Sequence, residues 1–330
     1  MKVPLLLFSL MQFTIAASAQ DSLLKSKPVQ ESYPVLKLVT IQKEYYGDSD
    51  YKILSKGDEH KGEGEFSGER LKISAAFPVY TKNKIVLSAG ATYTRTSFSY
   101  YSKETPDALY NKGETVKNDF DALFSAGYQS KLFNKPVFYN ATVMMGSTNF
   151  FNIKKLSGSL SSSLILKQNA STLSVIGLYV NLDRSVILPF FPMYSYWHKF
   201  SDSFWEVDLV LPQRLIARRS DVLGGWLSTG VELTNNSFFL KQDADGQNRA
   251  GNYEWISNEI NSYIGYEHMV GKSFLLGIKG GYRNTLTTRL IKVNDNFDDY
   301  KSKTKIGSTF FNMNVSYVIP NSKLAKPKKR

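Results

Sequence analysis

Two groups of charged residues have a spacing that could do chemistry: Glu206, Asp208, Arg214 and Arg218, and further on Glu259, Lys279 and Arg283. Within each segment the charges recur at even offsets, which puts them on one face of an extended chain. If Leu211-Pro212-Gln213 is a tight loop, Glu206 falls opposite Arg218 and Asp208 opposite Ile216, with Arg214 diagonal to Asp208. By the same reasoning Asn261 faces Lys279, and Glu259 is diagonal to both Lys279 and Arg283. Facing a water-filled interior, such a set would sort solutes by charge. Facing one another in a narrow one, it would be a set of structural ion pairs, because half-buried charges are normally paired.

Other chemistries have weaker footholds. The chain has no cysteine, which excludes thiolate metal centres and disulfide frameworks. Its three histidines, His60, His198 and His268, fall in a loop or near turns, with no nucleophile at a recognisable offset. No GxSxG, HExxH or P-loop pattern occurs. Gly47-Asp48-Ser49 has the residue types that open a lipid-hydrolase serine motif, but it follows no buried strand and reads as loop composition. Asp243, Asp245 and Asn248, around Gly246, have the alternating oxygens of a calcium loop without its bidentate acid, so a solvated turn competes with a loop Ca2+ site. The acidic run Asn294, Asp295, Asn296, Asp298, Asp299 lies on the same expected side. No other cofactor is indicated.

The elements that position these residues are strands. From about 34 to 319 the dominant period is two: Leu71, Ile73, Ala75, Phe77 and Val79 share one face, and Ile85, Leu87, Ala89, Ala91 and Tyr93 another. Ile256, Ile260 and Ile264 would line a helix as well as a strand, but Asn258, Asn261 and Gly265 and the alternating neighbours favour strand. Short turns are expected near 81–84, 133–136, 168–171, 199–203, 220–224 and 270–272. Long polar loops are expected near 46–65, 102–118, 241–253 and 291–304. Counting 213–219 as a strand gives fourteen strands, with twelve possible, and places every long loop on one side.

An even strand number, short turns at one end and long loops at the other describe a single antiparallel transmembrane β-barrel of the outer-membrane kind. One face of each strand is Leu, Ile, Val, Phe, Ala and Tyr; the other is Ser, Thr, Asn and Gly with charge, too polar for the core of a sandwich. In hydrocarbon only closure satisfies the backbone of such a sheet. Trp197, Trp205, Trp226 and Trp255 lie near expected strand ends and are read as an interfacial aromatic girdle.

The chain has 330 residues, 14% of them aromatic, a mean hydropathy of -0.27 and a net charge of +12. After the first residues no apolar run approaches the length of a spanning helix. Residues 1–19 read as a secretory signal peptide, with Lys2, the apolar VPLLLFSLMQF and Ala17-Ser18-Ala19, in preference to a membrane anchor. Residues 20–33 read as a linker, 34–319 as the barrel, and 320–330 as a basic periplasmic tail with five cations. In an exported protein nucleic acid is not the expected partner of that tail. The expected partners are outer-membrane lipid, lipopolysaccharide and the barrel-insertion machinery, together with an unidentified solute.

The leader ending Ala19-Gln20, the central FFPMYSYWHKFSDSFWEVDLVLP and the Gly- and Tyr-rich later strands resemble a family of Bacteroidota outer-membrane β-barrel proteins of unknown function. The resemblance implies a location and an architecture and assigns no chemistry. Three functions fit: a passive or selective conduit or structural envelope component, without enzymatic activity; a lipid-modifying enzyme using His198 or His268; and a receptor or adhesin acting through loops around Tyr110, Asp243 and Asp298.

Overall fold

A computed structural model describes residues 36–55, 61–102, 113–148, 152–186, 189–201, 203–242 and 251–319. The expected leader, linker and basic tail, and the proposed calcium ligands Asp243, Asp245 and Asn248, lie outside these residues. Fourteen antiparallel strands follow one another around a closed barrel, and the first pairs with the last. They are β1 (Lys37–Ser55), β2 (Lys61–Lys82), β3 (Ile85–Ser102), β4 (Gly113–Leu132), β5 (Lys135–Ser147), β6 (Ile153–Gln168) and β7 (Thr172–Asn181). The second half comprises β8 (Phe190–Lys199), β9 (Trp205–Leu211), β10 (Arg214–Val222), β11 (Gly225–Gln242), β12 (Gly251–Val270), β13 (Phe274–Lys292) and β14 (Ser302–Val318). Ile256, Ile260 and Ile264 are in strand, as their neighbours required.

The expected short turns all fall at one end of the barrel. Two of them, Phe133-Asn134 and Leu223-Gly224, have positive φ at both residues, the conformation whose twist matches a two-residue hairpin. Asn134 and Gly224 tolerate it; Phe133 and Leu223 adopt it at the tips, 84% and 87% exposed.

The expected long loops are shorter than the sequence suggested. β1 and β2 run to Ser55 and from Lys61, so most of 46–65 is strand, and β13 and β14 likewise consume the ends of 291–304. These hairpin ends rise beyond the apolar belt, where both faces meet polar surroundings, so the period-two signal fades although the ladder continues.

Alternation decides which side chains meet the outside. On β14 Phe311, Met313, Val315 and Tyr317 are exposed outward, while Phe310, Asn312 and Ser316 are buried inward. On β13 Phe274, Leu276, Ile278 and Tyr282 repeat the pattern. Soluble proteins rarely show an apolar surface beyond a few hundred Å², whereas here it recurs on strand after strand.

Small residues allow close approach inside this sheet. A Cβ on Gly281 would sit 2.0 Å from the carbonyl oxygen of Ser262 and 2.8 Å from the Cα of Tyr263, so β12 and β13 could not keep their spacing. Gly281→Ala is expected to reduce the fraction refolding to the heat-modifiable barrel on gel electrophoresis, whereas Gly271→Ala, with nothing near its Cβ position, acts only through its positive φ and costs less.

Candidate functional site: a braced and partitioned lumen

The lumen is built from the inward positions of the strands. Glu206 on β9 lies opposite Arg218 on β10, and their side chains form a buried ion pair. Asp208 lies opposite Ile216 and accepts from Arg214 at 2.9 Å. On the next sheet segment the register differs from the sequence expectation. Asn261 faces Arg283, not Lys279, whose partner in the ladder is Gly265. Arg283 binds Glu259 at 3.4 Å, and Lys279 binds Glu232 on β11 at 3.3 Å. The shift comes from the turn at 271–273, from which the register runs unbroken to Glu259, and the charge pattern does not reveal it.

Several members were missed by sequence reasoning. Glu44 and Arg70 pair at 3.5 Å, and the Tyr46 hydroxyl donates to Glu44 at 2.8 Å. Arg283 stacks over the Tyr46 ring at 3.7 Å and joins this group to Glu259. Glu44 was within reach of period-two logic, being in step with Thr40 and Gln42; Glu232, in step with Ser228 and Gly230, was too. Lys155, Asp183 and Glu254 were not. Lys155 on β6 binds Asp183 at 2.7 Å and Glu254 on β12 at 2.6 Å, a contact between distant strands made across the interior.

That contact reflects a departure from a simple cylinder. β10 pairs with β11 only as far as Arg214 opposite Glu232; the next residue, Leu233, donates its N–H to Gln213 at 2.7 Å. Beyond it, among the described residues, no strand pairs with the β10-facing edge of β11. Such an edge in hydrocarbon would leave backbone groups unpaired at a cost of several kcal/mol each, and β11 with β12 instead turns inward. Alternation then disappears: Tyr253, Glu254, Ile256, Ser257, Asn258 and Glu259 are all buried, as are the successive Phe238 and Phe239. Both faces of this hairpin are covered, so it partitions the lumen.

Phe238 stacks on Trp255 at 4.7 Å and meets Phe98 of β3 at 5.6 Å. Phe98 meets Phe66, which in turn lies 6.5 Å from Tyr46, and this aromatic series fills the β1–β3 side. On the adjoining strand β4, Asp119 accepts the Phe239 N–H at 3.1 Å, supplying by side chain the bond that a neighbouring strand would have made. Above, the N–H of Phe297, in the β13–β14 connection, donates to the carbonyl of Arg184 in the β7–β8 connection at 3.1 Å.

The tryptophan girdle needs correction. Trp205 faces outward, 40% exposed, beneath the Arg219 guanidinium at 5.9 Å. Trp197 is paired with the inward Asp208, Trp226 with the inward Glu267, and Trp255 lies in the aromatic series of the partition. Nearness to a strand end was read correctly, but parity sends three of the four into the lumen. The outer ring at the turn end contains Tyr196, His198 and Phe200 instead, with His198 4.8 Å from Phe200 and hydrogen-bonded to Thr172 at 3.0 Å. His268 stacks on Tyr266 at 6.3 Å. In the 294–299 run, Asp298 is taken by Arg289 at 3.1 Å, so that part is a braced turn.

The class that these features define is an antiparallel β-barrel with an apolar exterior and a braced polar interior. No family model matches the chain, and no curated protein matches it in sequence. Solved structures resemble it in architecture. An outer membrane channel from Pseudomonas putida F1 is 12% identical, over 89% of this chain and 99% of that one, with a TM-score of 0.36. A deletion mutant of the TodX monoaromatic hydrocarbon channel is 9% identical, over 86% and 91%, with a TM-score of 0.38. The outer membrane phospholipase OMPLA from Salmonella typhi is 12% identical, over 89% and 96%, with a TM-score of 0.27. At these identities the likeness is one of barrel architecture.

Proposed function

We propose that the protein is an outer-membrane conduit for small solutes, closed along its axis in this conformation by the β11–β12 hairpin. The turns would face the periplasm and the longer connections the outside, as in bacterial barrels generally. The observation that carries the reading is the arrangement of the inward charges. Most stand in ion pairs around a polar interior, and a hairpin, not a uniform packed core, crosses it: β11 pairs with β10 only as far as Glu232. A purely structural barrel needs no such partition. The compensated charges predict weak selection between cations and anions.

Lys155 holds the hairpin against β6 and the β7–β8 connection, so its loss leaves Glu254 and Asp183 buried without their cation. In planar bilayers, Lys155→Ala is expected to open more often than the wild type. Deletion of 236–257, the upper hairpin, is expected to give a continuously open pore. A folded deletion variant with no unit conductance would remove the conduit reading. The lipid-enzyme alternative is read independently: if His198→Ala abolished a phospholipid hydrolysis seen with the wild type, that alternative would replace the conduit.

A further inference from the structure

We infer that the wall over β9 and β10 contains a lateral portal, through which an uncharged apolar solute passes between the lumen and the hydrocarbon of the outer leaflet. The inference rests on the conduit reading and names the class of solute it would carry.

Wall height is the first observation. β9 has 7 residues and β10 has 9, whereas β1 to β4 have 18 to 22. At about 3.4 Å per residue and a tilt near 40°, β9 rises only ~18 Å, short of the ~25 Å apolar band of an outer-membrane barrel. The exterior agrees: Trp205, Val207, Leu209 and Leu211 form its outward series, apolar to the last residue, and Leu215 opens the next strand 51% exposed. The β9–β10 turn therefore ends within hydrocarbon.

β8 continues past that turn: it pairs with β9 only from Tyr194, opposite Leu211, and its residues 190–193 stand above it. On the other side β11 beyond Glu232 has turned into the lumen to meet Asp119 and Phe98, so it does not fill the space above β10. The wall thus has a notch above the β9–β10 turn, beside β8. Directly beside it, the inward side chains of β8 are Phe191 and Met193, which form with Tyr179 a buried apolar cluster whose Tyr179 and Phe191 rings are 4.9 Å apart. Lower in the same wall the inward residues are the charged pairs of Glu206 and Asp208. Apolar lining at the notch and charge beneath it favour an uncharged alkyl or aryl molecule over an ion at this opening. Met193, an unbranched thioether with three rotatable bonds, is suited to move aside as the stopper.

The axial route is obstructed by the Phe297–Arg184 hydrogen bond and by Lys155 between Asp183 and Glu254. A solute that reaches the Tyr179–Phe191–Met193 cluster has the notch beside it.

The test uses the full-length protein in phosphatidylcholine vesicles, with a benzophenone amino acid replacing Met193 or, as a lumen-facing control lower in the wall, Ile216, and with tritiated naphthalene as the probe. Irradiation is expected to attach naphthalene at position 193 at least about tenfold more than at 216, the ratio produced by a difference near 1.4 kcal/mol in local occupancy. Equal labelling at the two positions overturns the portal. Labelling of position 193 by phospholipid chains with no naphthalene overturns the solute class and makes the notch a lipid-docking slot. Met193→Arg added to the hairpin-deleted protein is expected to leave the conductance of that form unchanged, and a loss of that conductance would overturn the lateral placement of the stopper. Because conductance and labelling are read separately, a barrel that conducts but does not label sinks only the portal, and one that labels without conducting sinks only the axial conduit.

Discussion

Arg283→Ala is expected to lower the unfolding free energy of the barrel by about 3–5 kcal/mol, the usual cost of removing one partner from a buried ion pair. Arg283 binds Glu259 at 3.4 Å, donates to Ser308 at 3.3 Å and covers the Tyr46 ring, so the truncation leaves a carboxylate buried beside an unfilled space. Both partners of the pair are nearly fully buried, at 5% and 4% side-chain exposure, which separates them from Lys52 and Glu63, whose surface pair at 2.9 Å is 65% and 56% exposed. Lys52→Ala should cost under about 1 kcal/mol. Reversible urea unfolding in lipid vesicles followed by tryptophan fluorescence measures both. The informative third variant is Glu259→Leu with Arg283→Met. If the pair acts mainly as a brace, this double replacement recovers most of the loss, because well-packed apolar residues often substitute for buried ions at little cost. A loss as large as that of Arg283→Ala would mean that the polar interior itself is required.

Ile264→Arg tests the outside as directly. Ile264 points outward from β12 and is 65% exposed, between the inward Tyr263 and Gly265. Arginine on the lipid face at the bilayer midplane costs about 2–4 kcal/mol and nearer the interface about 0–1 kcal/mol. Placed in the central part of the belt, the substitution is expected near the upper figure in vesicles. At Lys305, outward and above the belt on β14, the reverse change to Leu should be close to neutral. An Ile264→Arg protein as stable in vesicles as the wild type would contradict the assignment of this face to hydrocarbon.

The two expectations draw on different degrees of legibility. The outward position of Ile264 follows from alternation alone, since a one-residue slip would turn the whole apolar face of β12 inward. The Glu206–Arg218 opposition was also accessible, because the three-residue turn Leu211-Pro212-Gln213 fixes the register of a short hairpin. The partner of Lys279 was not. Its carboxylate lies on β11, and the register of Lys279 is set by the exact length of the turn before Phe274, which the charge spacing does not mark. The three inward tryptophans show the same limit: closeness to a strand end is a matter of counting, but the face depends on parity set by the actual register.

By itself the sequence determined the even number of strands, the end at which the turns lie, and which alternate residues are apolar, because these depend on local spacing and turn chemistry. Only the tertiary structure decided that β11 and β12 leave the wall. Their departure answers a non-local mismatch, a long strand placed beside the short β10, and the resulting contacts of Phe239 with Asp119 and of Glu254 with Lys155 join residues more than ninety positions apart. A backbone edge that lacks a neighbour cannot remain in hydrocarbon, so it moves to where buried polar side chains can satisfy it.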